Sequence, residues 1–217
     1  MRLFLDSANL SQLQPLLRTG VFYGVTTNPL ILRESGLSIA ELPSFTQAVL
    51  QAGARAVFLQ AWGRQTEVLY QCGRFLASID GRVVVKLTAT QEGLSAASRL
   101  AAEGVHTCIT AVYTPFQALL ASAVGATFVA PYLGRINDSG RDGYAIIAKM
   151  AESLKHTSSR TEILAASIRS TADLVTLAQE GVRCITFSVP IAERLFQEPM
   201  TLEAAEAFEQ AIQEVSL

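Results

Sequence analysis

The chain has 217 residues, half of them apolar and 17% charged, with a formal net charge of −2. That balance offers no basic face to nucleic acid, and no apolar run approaches the roughly 20 residues a membrane helix needs. The length suits one well-buried domain, residues 1–217. Cys72, Cys108 and Cys184 are far apart and show no CxxC spacing, so they read as reduced thiols and not as a disulfide frame or metal site. Asp6 falls too early for a secretory leader, and the cytoplasm is the expected compartment.

Short apolar runs alternate with helix-period segments along the whole chain. Arg2–Asp6 is the first expected strand. A weak helix follows it, in which Pro15 would disturb any turn begun before about Ser11. Tyr23–Thr27 is the second strand. Ser38-Ile39-Ala40-Glu41 then fits a capping box ahead of Leu42, Phe45 and Val49. Strands are expected next at Ala54–Gln60 and Arg82–Leu87. The segment from Thr90 to Glu103 places Leu94, Ala97 and Ala101 on one face and stops at Gly104. His106–Ala111 and Ala126–Tyr132 continue the strands, and Tyr144, Ile147, Ala148, Ala151 and Leu154 stripe a long helix. After strand Glu162–Ala166, Ser170 caps a helix with Leu174, Leu177 and Ala178 inward, ending at Gly181. The last strand is Arg183–Val189. Thr201–Val215 is an amphipathic helix that either closes the fold or reaches a neighbouring subunit.

Most of these strands are continuous apolar runs, as a parallel sheet covered by helices requires. About eight strand–helix units specify an α/β protein, a single (β/α)8 TIM barrel with a C-terminal amphipathic helix spanning 201–217. An open doubly wound sheet is the competing architecture, and it lacks support because no Gly-rich dinucleotide fingerprint follows any strand. A high apolar fraction on so compact a chain favours a homo-oligomer.

Lys86 stands inside Val83-Val84-Val85-Lys86-Leu87, a run that reads as a strand buried on both faces. An unpaired buried ammonium is costly. Its usual relief is loss of the proton, which leaves an amine nucleophilic toward carbonyls. The plainer alternative is a buried ion pair. The other strand ends in a barrel are where chemistry gathers. They carry Asp6, Thr27 and Asn28, Gln60, Thr110, Tyr132 with Arg135, Ser167 with Arg169, and Ser188. Each has a bland reading as a cap, a turn or a surface charge, but a polar set at every strand end is more than a structural chain needs. His106 and His156 read as a strand-start and a helix-surface residue. A lysine amine converts a ketone to an iminium that permits cleavage of the adjacent carbon–carbon bond. Tyr132, Gln60 and Thr110 can hold and activate a water, and Asp6 can move a hydroxyl proton. Two arginines with Ser167 can hold an anion on the side where barrels often bind phosphate.

Leu5-Asp6-Ser7-Ala8, Gly24-Val25-Thr26-Thr27-Asn28-Pro29-Leu30, Val84-Val85-Lys86, Thr110-Ala111-Val112-Tyr113, Ala130-Pro131-Tyr132-Leu133-Gly134-Arg135-Ile136 and Ala165-Ala166-Ser167-Ile168-Arg169 together resemble the short transaldolase and fructose-6-phosphate aldolase family. The resemblance runs through nearly the whole chain in order. It implies a class I, Schiff-base barrel with no metal and no organic cofactor, often a decamer of two pentamers. It implies Lys86 as the Schiff-base lysine, Asp6 as the acid–base group, and Gln60, Thr110 and Tyr132 as a water-holding trio. Asn28 and Thr27 would bind the dihydroxyacetone part, and Arg135, Ser167 and Arg169 the phosphate. Glutamine at 60 and tyrosine at 132 are similar to the aldolase; transaldolases carry glutamate and phenylalanine there. Trp62, Thr114-Pro115-Phe116 and Leu133-Gly134 depart from the aldolase pattern, and Gly134 and Arg169 are closer to the transaldolase one. The expected function is therefore reversible cleavage of fructose 6-phosphate to dihydroxyacetone and glyceraldehyde 3-phosphate, with transaldolase as the alternative. A non-catalytic barrel in which Lys86 merely pairs with Asp6 is the reading from another class.

Overall fold

The computed structural model describes residues 1–215, so the last two residues of the expected C-terminal helix lie outside the described residues. Eight strands form one closed, all-parallel barrel in sequential order. They are β1 (Arg2–Asp6), β2 (Phe22–Thr26), β3 (Ala56–Gln60), β4 (Val83–Thr88), β5 (Thr107–Val112), β6 (Phe128–Pro131), β7 (Glu162–Ala165) and β8 (Cys184–Phe187). The helices around them are α1 (Leu10–Arg18), α2 (Pro29–Glu34), α3 (Leu42–Gln51), α4 (Thr66–Ala77), α5 (Gln91–Ala102), α6 (Pro115–Ala123), α7 (Leu133–Asp138), α8 (Gly143–His156), α9 (Thr171–Gln179) and α10 (Val189–Arg194), followed by α11 (Pro199–Val215). The fold is the expected TIM barrel.

The period of two along each strand sorts side chains between barrel interior and helical shell. In β4, Val83, Val85 and Leu87 join the core between sheet and helices, while Val84 faces the barrel interior with Phe4, Phe58 and Phe128. Lys86 is in phase with Val84 and so projects inside the barrel above it. Both faces of this strand are buried, which is why its sequence shows no alternation.

Several boundaries differ from the sequence expectation. Arg55 stands outside β3, although its N–H already meets the Tyr23 carbonyl at 2.8 Å. Tyr132 lies one residue past β6, bridging singly to Ala166. The Ser38–Glu41 box heads a 3₁₀ turn (Ile39–Glu41) that runs into α3, with the Glu41 carboxylate accepting from the Ser38 N–H at 2.9 Å and its hydroxyl at 2.6 Å. α1 begins at Leu10, capped by the Asn9 side chain, and keeps Pro15 inside it. The buried face of α5 is Gly93, Ala96, Ala97 and Leu100, with Leu94 and Ala101 only partly covered. The cause is Gly93: a Cβ there would stand 2.1 Å from the Thr88 carbonyl oxygen, so the missing side chain lets the first turn close onto β4. Ala178 faces solvent, whereas Leu174 and Leu177 are buried as expected.

The barrel closes between β1 and β8 without help from α11. No residue of α11 is buried among the described residues, and Met200 and Phe208 are 77% and 73% exposed. Among the described residues no helix is long and apolar enough to cross a membrane.

Candidate active site

At the N-terminal end the barrel is solid. Phe58 packs edge to face with Phe4 and with Phe128, at centroid distances of 5.3 and 5.1 Å. Arg2, paired with Glu162, lies over the rings of Tyr23 and Phe128. The opposite, C-terminal end holds a cavity of about 250 Å³. Lys86, Asp6 and Thr186 line it with Ala130, Leu164 and Ala166, Asn28 and α2 form one wall, and Tyr132, Arg135 and Ser167 form the other. A second depression, about 410 Å³, lies between Met1 and the Leu174–Gln179 stretch of α9; it is apolar and carries no titratable side chain.

Lys86 is 5% exposed. Its Nζ donates to the Thr27 carbonyl at 2.7 Å. Lys86 takes part in none of the ion pairs found among the described residues, so the reading of Lys86 as an ion-pair partner of Asp6 has no contact behind it. Gln60 stands in register beside Lys86 on one side and Cys108 on the other. Burial pushes the Cys108 thiol up to about 12 despite the pull of Lys86, which leaves it a protonated, inert neighbour.

Asp6, at the end of β1, accepts a 2.6 Å hydrogen bond from the Thr26 hydroxyl. Thr26 and Thr186 hydroxyls are also 2.6 Å apart. Thr26 has one hydroxyl proton and spends it on Asp6, so Thr186 is the donor in the second bond. Burial raises the Asp6 carboxyl above its ordinary range, against the opposing pull of Lys86, the Thr26 hydrogen bond and Arg135. Such a carboxyl is better matched to giving and taking protons near neutral pH.

Tyr132 is held from three directions. Its hydroxyl bonds the Thr110 hydroxyl at 2.9 Å. Tyr113 meets its ring edge to face at 5.7 Å, and the Arg135 guanidinium lies 5.0 Å from its centroid. Thr110 itself is buried in the wall behind Tyr132. The next residue, Ala111, is in the left-handed region at φ 57°, within the irregularity that shifts the β5–β6 register. Ser167, just beyond β7, shares that conformation at φ 59°. For residues with a Cβ this costs roughly 1–2 kcal/mol each, and such strain gathers where surroundings dictate a side chain's aim.

The cavity wall that carries Arg135 is built around Ser167. Gly134 donates its N–H to the Ser167 carbonyl at 2.9 Å. A Cβ on Gly134 would stand 2.5 Å from that oxygen and 2.6 Å from Arg169 Nε, so only glycine permits this approach. Arg135 lines the cavity. Arg169 does not; it is exposed and its guanidinium donates to Asp138 at 2.6 Å.

Of the residues read from the sequence, Lys86, Asp6, Asn28, Tyr132, Arg135 and Ser167 converge on the cavity. Gln60 and Thr110 flank it through Lys86 and Tyr132. Thr27 takes part by its carbonyl, its hydroxyl being turned to the Phe58 carbonyl at 3.0 Å. Asn28 Oδ1 caps α2 by accepting from Leu30 and Ile31 N–H at 2.9 and 3.1 Å, which leaves its NH₂ for a bound oxygen. Trp62 lies just beyond β3, 36% exposed, outside the cavity lining. His106 and His156 are exposed and remote from it. Sequence reasoning missed Thr186 and Glu34, both of which line the cavity. Thr186 had a legible signal: it is the polar residue in the buried run Cys184–Phe187, as Lys86 is in β4.

The family model described as Transaldolase/Fructose-6-phosphate aldolase matches residues 3–217. The chain belongs to this family. It is 35% identical over 208 residues to a probable transaldolase of Phenylobacterium zucineum (strain HLK1), covering 96% of this chain and 94% of the relative. It is 36% identical over 210 residues to a probable transaldolase of Kosmotoga olearia, with the same shares covered. Among solved structures, a mandelate oxidase variant superposes with a TM-score of 0.61 at 14% identity, over 88% of this chain and 66% of that one. That likeness shows the barrel alone. Membership makes the chain one of a family of enzymes, aldehyde lyases and transferases that share this barrel.

Proposed function

We propose that this chain is a class I aldolase that reversibly cleaves fructose 6-phosphate to dihydroxyacetone and glyceraldehyde 3-phosphate. The observation that carries the reading is Lys86, buried inside the barrel at the cavity floor, fastened to a backbone carbonyl and free of any ion pair among the described residues. The Lys86 amine attacks the ketone carbon of the bound sugar. Loss of water from the carbinolamine gives an iminium. Asp6 takes the proton of the hydroxyl on the far carbon of the bond to be broken, that bond's electrons move toward the iminium, and that carbon departs as the aldehyde. Protonation of the resulting enamine gives the dihydroxyacetone iminium, and a water activated by Gln60, Thr110 and Tyr132 hydrolyses it, restoring the amine. The Asn28 NH₂ holds a dihydroxyacetone hydroxyl, while Arg135 and Ser167, with Arg169 behind them, hold the phosphate.

Tyr132 favours release to water over transfer, because its hydroxyl stands on the cavity wall linked to Thr110. The second reading is transaldolase, in which a second aldose phosphate captures the intermediate. The names of the curated relatives and the glycine at 134 favour it. Free dihydroxyacetone is measured with fructose 6-phosphate, with and without erythrose 4-phosphate. Release without the second sugar supports the aldolase; glyceraldehyde 3-phosphate formed only with both sugars establishes the transaldolase. Borohydride with a ketose donor traps a covalent adduct in either case, and its absence would return the chain to a binding barrel. Activity retained in EDTA would exclude a metal-dependent aldolase.

We further propose that residues 1–217 act as one unit in the cytoplasm, where the free and buried Cys72, Cys108 and Cys184 stay reduced, and that α11 packs on a neighbouring copy in a pentamer or decamer. The exposed apolar side chains of α11 support that assembly, and light scattering with and without residues 199–217 tests it.

A further inference from the structure

Ser167 holds its left-handed backbone through contacts on both sides of the loop that joins β7 to α9. On one side, Leu133 and Gly134 donate N–H bonds to the Ala166 and Ser167 carbonyls, both at 2.9 Å. On the other side stands Asp173, in the first turn of α9 and 7% exposed. Its Oδ2 accepts from the Arg169 N–H at 2.8 Å and the Ser170 N–H at 3.2 Å. Its Oδ1 accepts from the Ser170 hydroxyl at 2.5 Å and from the Tyr144 hydroxyl of α8 at 3.0 Å. Helix capping alone accounts for the Ser170 bonds. It does not account for the other two: Arg169 precedes the cap, and Tyr144 reaches across from a different helix. Burial alone would raise the Asp173 carboxyl, but these donors hold it below its usual range, so it stays charged and keeps all four bonds at working pH.

We propose that Asp173 and Tyr144 are positioning residues for the anion side of the cavity, α8 fixing through them the loop that presents Ser167 and Arg169 to a substrate phosphate. Neither residue lines the cavity, so they act on the phosphate group only through that loop. The proposal rests on the function proposed above. It predicts a selective effect, because the Lys86 and Asp6 side of the cavity is built on other strands.

The test compares glyceraldehyde 3-phosphate with unphosphorylated glyceraldehyde as acceptors for dihydroxyacetone. In Asp173→Asn the KM for the phosphorylated aldehyde should rise about tenfold and in Tyr144→Phe about threefold, with kcat and the KM for glyceraldehyde within twofold of the parent. Equal losses for both aldehydes, or no change in either variant, would overturn the proposal. Tyr144→Phe removes a single oxygen and keeps the test open should Asp173→Asn not fold. Arg135→Ala is run alongside. If it shows the phosphate-selective loss and the two loop variants do not, only the positioning role is refuted; if it too shows no selectivity, the anion-side reading itself is overturned.

Discussion

Lys86 Nζ and the Thr27 carbonyl oxygen are 2.7 Å apart, which fastens β4 to the residue just beyond β2, past the intervening β3. A flexible four-carbon side chain is thereby held in one place, and a neutral backbone acceptor takes one N–H without the charge of a carboxylate. The amine is left facing a cavity that also carries Asp6. A lysine kept only for stability would be expected to pair with an anion, and Lys86 does not do so among the described residues.

Replacing Lys86 by methionine keeps the length of the side chain and removes the proposed nucleophile. Activity should fall at least about 1,000-fold, since no other group takes over a covalent step. Borohydride reduction in the presence of a ketose should then leave the mass of the variant unchanged, while the parent gains the adduct. A trapped adduct in the variant would place the Schiff base on another amine.

Asp6→Asn should cost activity and gain stability. An unfolded aspartate titrates near 3.8, and burial raises Asp6 above that in the fold. The folded chain therefore holds this proton to higher pH than the unfolded one. The stability so gained is full below the unfolded value and is lost as pH rises through the folded one, above which the fold carries a desolvated carboxylate. Asparagine carries no such charge. The variant should melt higher than the parent at pH 7 to 8, with the gap closing toward pH 4, while cleavage falls about 100-fold. A variant that melts lower at neutral pH would mean that Asp6 stabilises the site through its charge.

The barrel was legible because its strands are nearly unbroken apolar runs, and because one lysine stands where no charge belongs. The cavity residues that could be read were those at strand ends. Thr186 was missed because a threonine in a buried run passes for a satisfied hydroxyl, and its partner Thr26 lies 160 residues away in the chain. Glu34 lies on a helix after the strand, where pattern says nothing about which way a carboxylate faces. Arg169 was read as an anion ligand from its place beyond β7, and the sequence held no sign that Asp138, 31 residues earlier, would engage it. The face of α5 was misjudged by about one position because periodicity cannot register the close approach that Gly93 allows.

Tyr132→Phe removes the hydroxyl that reaches Thr110 and keeps the ring between Tyr113 and Arg135. Removing a proton-transfer group costs roughly 100-fold or more. Release of free dihydroxyacetone from fructose 6-phosphate should fall by about that factor, while borohydride trapping persists. Exchange between fructose 6-phosphate and erythrose 4-phosphate should survive better than release, because transfer needs no water at the iminium. Unchanged release in the variant would mean that Tyr132 is not the proton shuttle.

The two arginines of the proposed anion side should separate in their effects. Arg135 lines the cavity and rests on the Tyr132 ring, whereas Arg169 stands outside the lining and is engaged by Asp138. A charge-assisted hydrogen bond contributes about 1.5–3 kcal/mol, so Arg135→Ala should raise the KM for phosphorylated sugars tenfold or more and leave that for dihydroxyacetone nearly unchanged. Its kcat should fall slightly, since the Tyr132 ring loses one of its supports. Arg169→Ala should have a smaller effect on the same KM, because Arg169 stands outside the lining, while its exposed contact with Asp138 is itself worth little in water. Asp138→Asn loosens that hold and should lower the KM modestly. Steady-state kinetics on the three variants decide the matter: equal effects of Arg135→Ala on phosphorylated and unphosphorylated substrates would remove Arg135 from the anion site, and an Arg169→Ala loss exceeding that of Arg135→Ala would make Arg169 the principal phosphate ligand.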